Sequence, residues 1–286
     1  MLSNNKFIYL ALLILISANL FVWREAAFGE NKNLELYFLD VGQGDSELID
    51  LGSVEILVDG GKDAKVLSEL GRALSPGDRY IDLVIATHPD FDHFGGLIDV
   101  LKNYEVGMVI TNGRRGVADA YSDFERVIAE KEIPVTQVYA GDQIQFGETV
   151  LKVLWPTKTA VAGKKVNESG IVFMLENNGP PGRASLRALY TADIGFETEQ
   201  KLVKQYDLSA QILKVGHHGS KYSTDKNFLA EVNPAISIIE VGKNSYGHPT
   251  EAVLGRLASI GAQVFRTDQN GVLKLEFNGE SLRVWD

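Results

Sequence analysis

All five histidines of the chain lie in three short polar segments, and the first of these, Thr87-His88-Pro89-Asp90-Phe91-Asp92-His93-Phe94-Gly95-Gly96, constrains the fold most. Four metal-ligand side chains stand within six residues, His88 to His93. The run Ile81–Thr87 before them has strand character, and an apolar, helix-like stretch, Gly96–Tyr104, follows. Imidazole and carboxylate are the usual ligands of zinc, manganese and iron. A lone histidine here would be read as a satisfied loop residue. Four ligand types at one strand end, with more Asp and His segments downstream, require a fold that gathers several strand ends at one edge.

The later segments share that placement. Asp193 stands just beyond the strand-like run Arg187–Thr191. His217 and His218 follow Ala210–Val215, and Asn244-Ser245-Tyr246-Gly247-His248-Pro249 follows Ala235–Val241. Taken singly, Asp193 reads as a cap or turn residue, Asn244 as a turn residue and His248 as a loop histidine. The chain has no cysteine, so disulfides and thiolate sites are excluded and a metal must sit on nitrogen and oxygen. Its net charge of −10 argues against a general nucleic-acid coat protein. An enzyme that cuts nucleic acid stays open, because bound cations make a site locally positive. The basic residues near the motifs, Arg114-Arg115, Lys164-Lys165, Lys214, Lys221, Lys226 and Lys243, read as solvated surface.

Phe7 to Trp23 carries no charge, with Lys6 before it and Arg24-Glu25 after it. It is short for a membrane-spanning helix and long for the apolar core of a signal peptide. The expectation is an export signal or single anchor over residues 1–32 and one domain over 33–286. Lys6 places the domain outside the cytoplasm, membrane-anchored or secreted. Strands are expected at Leu34–Val41, Ser46–Leu51, Val54–Asp59, Val106–Thr111, Thr149–Leu154, Gly170–Leu175, Gln263–Arg266, Val272–Phe277 and Ser281–Val284. Helices are expected at Lys65–Leu74, Asp119–Lys131, Glu197–Tyr206 and Thr250–Ile260, and a turn or mobile loop at Asn177–Ala184. The mixture predicts an α+β chain of two packed sheets with helices outside. Pattern alone leaves the strand order open.

These residues, in this order, resemble the metallo-β-lactamase superfamily, and most of all the metallo-β-lactamase domain of ComEC-type competence proteins, which form a DNA-uptake channel. The resemblance runs from about Leu36 to the C-terminus. It rests on Phe38-Leu39-Asp40-Val41-Gly42-Gln43-Gly44-Asp45-Ser46, Leu57-Val58-Asp59-Gly60-Gly61, His88–Gly96, Thr191-Ala192-Asp193, His217-His218-Gly219-Ser220 and Asn244–Pro249. It implies an αββα sandwich with two divalent metal ions, manganese or zinc, at one edge of the sheets. His88 and Asp90 would hold one ion, Asp92 and His93 the other, and Asp193 would bridge them. One of His217 and His218 would complete the second site. His218 is preferred for its place beyond the strand end, and adjacent extended residues point to opposite faces. Asp59, and Asp45 in the Gly42–Asp45 turn, would orient ligands without touching metal. That turn lacks the Lys-Ser/Thr of a phosphate loop.

The chain departs from many relatives in having Asp90 where they have histidine, and no histidine between His93 and His217. Val166–Gly170 corresponds to the missing ligand's segment. The first site is then rich in oxygen, which favours manganese over tightly held zinc. The resemblance implies metal-assisted hydrolysis by a phosphodiesterase or nuclease acting on DNA outside the cytoplasm, with hydroxide held near Asp193 as nucleophile. His217 and His248 would donate a hydrogen bond or proton, and Asn244, Ser220 and Lys221 would hold phosphate oxygens. Partners would be the membrane, through residues 1–32, and competence or transport proteins. The alternatives are a hydrolase of a small phosphodiester or phosphocholine-type ester, and a non-catalytic metal-binding or assembly protein on the same fold. An iron oxidoreductase ranks lower, since there is neither a cysteine nor a flavin-binding domain.

Overall fold

The computed structural model describes residues 33–179 and 184–285. The segment Phe7–Trp23 and positions 180–183 of the expected loop lie outside the described residues.

The first half of the domain runs β1 (Leu34–Phe38), β2 (Glu47–Asp50), β3 (Glu55–Val58), α1 (Lys65–Ala73), β4 (Tyr80–Ala86), α2 (Phe91–Asn103), β5 (Glu105–Thr111), α3 (Asp119–Glu130) and β6 (Val135–Gln137). The second half runs β7 (Gln143–Phe146), β8 (Thr149–Trp155), the short α4 (Lys158–Val161), β9 (Val172–Asn177), β10 (Leu186–Tyr190), α5 (Phe196–Gln205), β11 (Ile212–Lys214), α6 (Lys226–Val232), β12 (Ile236–Ile239), α7 (Glu251–Ser259), β13 (Gln263–Arg266), the short α8 (Thr267–Asn270), β14 (Leu273–Phe277) and β15 (Leu282–Trp285).

The strands make two mixed sheets, ordered β15-β14-β1-β2-β3-β4-β5-β6 and β13-β12-β11-β10-β9-β8-β7. In β4, Leu83 and Ile85 face the layer between the sheets, while Ile81 and Val84 face the helices. Such two-sided burial is why parallel strands read as continuous apolar runs. Phe38, Ile56, Phe173, Tyr190, Ile212 and Ile238 fill the space between the sheets. Phe94, Leu97, Val100 and Phe124 pack helices onto the first sheet, and Leu202, Phe228, Leu229 and Leu257 do so on the second. The layers are therefore helix, sheet, sheet, helix. Strands β10, β11 and β12 are mutually parallel, so their C-terminal ends open at one edge. Open sheets with parallel strands bind ligands beyond those carboxyl ends.

The expected elements form with shifted ends, apart from one substantive correction. The helix expected from Gly96 begins at Phe91, inside the metal-ligand motif. Asp90 is extended at its cap and Asp92 lies in its first turn, where a negative charge favours the exposed amides. Gly95 and Gly96 do not separate motif from helix. They let the helix press on the β3–α1 loop: a Cβ on Gly95 would lie 2.5 Å from the Lys62 carbonyl oxygen, and one on Gly96 would overlap that of Gly60 and lie 2.7 Å from that of Asp63. The pattern also missed β6, β7, α6 and the short α4 and α8. The residues of β6 are all exposed, so no apolar alternation marks that strand.

Two glycine substitutions test this packing. Gly96→Ala drives a methyl into the backbone of Gly60 and Asp63 and costs about 3 kcal/mol, the upper end of the usual overpacking range. Gly71→Ala, in α1 with nothing within 4 Å of the added Cβ, stabilises by roughly 0.5–1 kcal/mol. Denaturant melts of both variants check the pair.

Candidate metal centre

The end of β4 delivers His88, and the first turn of α2 delivers Asp92 and His93. Asp193 follows β10 through Ala192, a non-glycine residue at φ 44°. Beyond β11 the chain turns sharply, with His217 (φ 52°, ψ 46°) and His218 (φ 52°, ψ 25°) both left-handed. Two successive β-carbon-bearing residues in that region cost energy, and such strain collects at functional sites. The turn splits the two imidazoles, whose planes stand 74° apart. The His218 side chain is buried, whereas that of His217 is 34% exposed.

The buried imidazoles share one arrangement. Asp59 accepts from the Thr87 backbone N–H (2.8 Å) and from the Thr87 hydroxyl (2.6 Å). Its Oδ2 also accepts from His93 Nδ1 at 2.7 Å. Since the Thr87 hydroxyl proton is committed to Asp59, the oxygen can accept from His88 Nδ1, 3.0 Å away. His218 Nδ1 reaches the Glu240 carbonyl oxygen at 3.0 Å and Asp45 Oδ1 at 3.1 Å. Each ring is thus held through Nδ1. The Nε2 atoms of His88, His93 and His218, and Oδ1 of Asp193, are buried without a hydrogen-bond partner. Burying four such atoms unpaired is costly. Nitrogen lone pairs and a carboxylate oxygen are the donor set of a divalent ion, so these residues fit the metal that the motif implies.

The donors crowd together. His93 Nε2 lies 3.3 Å from Asp193 Oδ2, and His218 Nε2 lies 3.4 Å from Asp92 Oδ2 and 3.6 Å from Asp193 Oδ2. Asp92, His93 and His218 form a group whose ligand atoms all lie within 4.8 Å of one another. His88 Nε2 and Asp90 Oδ2 are 3.7 Å apart, but Asp90 joins no such group of three among the described residues. The Val166–Gly170 segment does reach the site. Asn167 Nδ2 lies 3.5 Å from Asp193 Oδ2 and 3.4 Å from His217 Nε2.

Charge sharpens the picture. Burial, and next the charge of His93, push His88 down to about 3, so that imidazole is neutral at ordinary pH. For His218 burial acts downward, yet Asp193 and Asp45 raise it to about 10. His93 rises well above its usual range against burial, chiefly through Asp193 and Asp59. Asp193 is held well below the carboxylate range against burial by His218 and His93. Without metal, protons on His218 and His93 neutralise the carboxylates, and an ion must displace them.

Beneath His218 lies a feature that the sequence reading missed. Lys214, read as solvated surface, is buried and ion-paired to Asp45, also buried. A lone basic residue carries no sign of burial unless its partner, 169 positions away in the chain, is known. Glu47 and Glu240 are buried beside this pair. Burial, followed by the charges of Glu240 and Asp45, raises Glu47 well above its usual value. Burial against Asp45 raises Glu240 to about 7. Asp45 itself is held low against burial, first by Lys214.

The expected phosphate holders fare differently. The Asn244 amide donates to the carbonyls of Gly242 and His248 (both 2.8 Å) and accepts from the N–H groups of Tyr246 and His248 (both 3.0 Å). It clamps its own loop with both its amide nitrogen and its amide oxygen. Ser220 is buried in the turn after His218, and Lys221 lies exposed with its ammonium 5.0 Å from the Tyr222 ring centroid. His248 stays at the site, its ring centroid 5.6 Å from that of His217.

Fold and site together are those of a metallo-β-lactamase domain, and the sequence model of the metallo-beta-lactamase superfamily matches residues 39–152. The chain is similar to ComE operon protein 3 of Bacillus subtilis (strain 168), 31% identical over 265 residues, covering 85% of this chain and 33% of that protein. It is similar as well to competence protein ComA of Neisseria gonorrhoeae, 30% identical over 265 residues, covering 91% of this chain and 35% of that protein. The chain thus spans about a third of the length of these relatives. The metallo-beta-lactamase fold protein YhfI from Bacillus subtilis shares the fold, with a TM-score of 0.54 at 12% identity over 83% of this chain and 98% of that one.

Removing the buried cation is the sharpest local test. In metal-free protein, Lys214→Met leaves Asp45 with only His218 and His93 as charged neighbours and lowers the unfolding free energy by up to about 3–5 kcal/mol. Adding Asp45→Asn recovers part of the loss. Urea melts of the two variants decide it, and wild-type stability in Lys214→Met would show that the pair does not brace the site.

Proposed function

We propose that the domain is a two-metal phosphodiesterase of the nuclease type, acting on DNA outside the cytoplasm. The observation that carries this is the convergence of three buried, unpartnered imidazole nitrogens and Asp193 beside half-open His217. His88 and Asp90 would hold one ion, Asp92, His93 and His218 the other, and Asp193 would stand between them. Bound cations supply charge stabilisation at a phosphoryl group and make water acidic enough to attack at neutral pH. Oxygen-rich surroundings at Asp90 favour manganese there.

The chain's own residues supply orientation and proton transfer. Asp59 and Thr87 fix the rings of His88 and His93, so little reorganisation accompanies reaction. His217 Nε2, 3.7 Å from Asp193 Oδ2 and open to solvent, is placed to donate to a phosphate oxygen or a leaving group. His248 backs it, with its Nδ1 buried and unpartnered. Burial, and then His217 and His218, lower the His248 pKa and keep that ring neutral.

A relative named a competence protein is in keeping with a role in DNA uptake, and competence or transport proteins are the partners this reading would call for. Among the described residues no helix is long and apolar enough to cross a membrane. The anchored or secreted reading rests on Phe7–Trp23, which lies outside them. A small phosphodiester is the second reading, favoured by the net charge of −10.

The test is hydrolysis of bis(p-nitrophenyl) phosphate and single-stranded DNA by the full chain, stripped of metal and titrated with manganese or zinc. Both substrates are expected to turn over only with metal. Asp193→Ala and His88→Ala should each lose at least about 100-fold. Turnover of the small ester alone moves the substrate away from DNA, and no turnover with either metal sinks the hydrolase reading.

A further inference from the structure

Exposed aromatic rings stand close in sequence to the candidate site residues. Phe91, between Asp90 and Asp92, is 49% exposed; Tyr222, four residues past His218, is 64% exposed; Tyr246, two before His248, is 72% exposed. Single exposed aromatics are ordinary. Phe91 opens α2 and meets Phe94 edge-on, and Lys221 lies over Tyr222, whereas Tyr246 is continuous with the candidate site. Tyr246 stacks on His248, with centroids 5.7 Å apart and planes 29° from parallel. His248 meets His217 edge-on at 5.6 Å, and His217 Nε2 lies 3.7 Å from Asp193 Oδ2. A row of rings therefore leads outward from Asp193 and ends on the open face of Tyr246.

This platform is held in place in advance. The Tyr246 N–H donates to Asn244 Oδ1, and the same amide ties down Gly242 and His248. That gives the apparently structural role of Asn244 a purpose: it holds an aromatic surface in water. A rigid ring presents contact area at low entropic cost. The protein is acidic overall, and the exposed cations Arg115 and Lys165 are spent on Glu125 and Glu197.

Resting on the phosphodiesterase reading above, we propose that Tyr246 is a specificity-determining residue, the platform on which an unpaired nucleobase next to the scissile phosphate stacks. In a duplex both faces of a base are covered by its neighbours. The platform thus selects single strands, and it does so without reading sequence, because every base has a flat face.

The experiment measures binding of two fluorescein-labelled strands by the full chain in manganese, by fluorescence polarisation. One strand is oligothymidylate and the other is an abasic strand of equal length, both phosphorothioate-linked to resist hydrolysis. Wild type is expected to bind the thymidylate strand on the order of tenfold more tightly than the abasic one. Tyr246→Ala should collapse that ratio to less than about twofold, and Tyr246→Phe should retain it. An unchanged ratio in Tyr246→Ala, or no discrimination by wild type, overturns the proposal. Binding is read without turnover, so a protein that discriminates these strands but turns over neither bis(p-nitrophenyl) phosphate nor unmodified single-stranded DNA refutes the nuclease reading and leaves the stacking platform standing.

Discussion

The carboxylate of Asp59 accepts three hydrogen bonds, from the Thr87 amide, the Thr87 hydroxyl and His93 Nδ1, and the rest of the centre is arranged around them. Through Thr87 the same carboxylate reaches His88, so one buried group sets the aim of two imidazoles. Its own position is doubly tied. The Asp59 N–H donates to the Ile85 carbonyl at the end of β4, and its carbonyl accepts from the Ser46 hydroxyl beyond the β1–β2 turn. A group in such a network has little freedom to follow its neighbours, and the network rigidifies what it touches. Ligand geometry is therefore a property of the sandwich rather than of a loop.

Holding the centre requires unfavourable backbone. Asp59, Ala192, His217 and His218 all lie in the left-handed region. Each turns the chain abruptly at a strand end, so that a side chain due to point along one face swings into the gap between the sheet edges. The packed interior over-determines these turns, which is the condition under which such strain persists. On the opposite side of His218 the Lys214–Asp45 pair fixes a charge from the second sheet against a loop of the first. The candidate metal centre is braced from both layers.

Much of this is legible in the residues themselves. Apolar runs ending in Asp or His mark strand ends, and their recurrence marks a common edge. What escapes the pattern has a physical reason in each case. Gly95 and Gly96 look like a break between motif and helix because sequence cannot distinguish a glycine that bends the chain from one that admits a neighbouring backbone. His217 and His218 are equivalent in sequence, and only the double left-handed turn separates a buried ring from an open one. Asn244 offers the groups a phosphate site needs, but local backbone consumes all of them. Glu47 and Glu240 carry no local mark of burial, since the contacts that enclose them are long-range.

The central claim is that the unpartnered nitrogens of His88, His93 and His218, with Asp193, are metal donors held ready by the fold. Anomalous diffraction from crystals grown with manganese tests it directly. The account predicts anomalous peaks among His88, Asp92, His93, Asp193 and His218, each imidazole bound through Nε2. A map with no peak there, or with its peak at the Asp45–Glu47–Glu240 cluster instead, would contradict it.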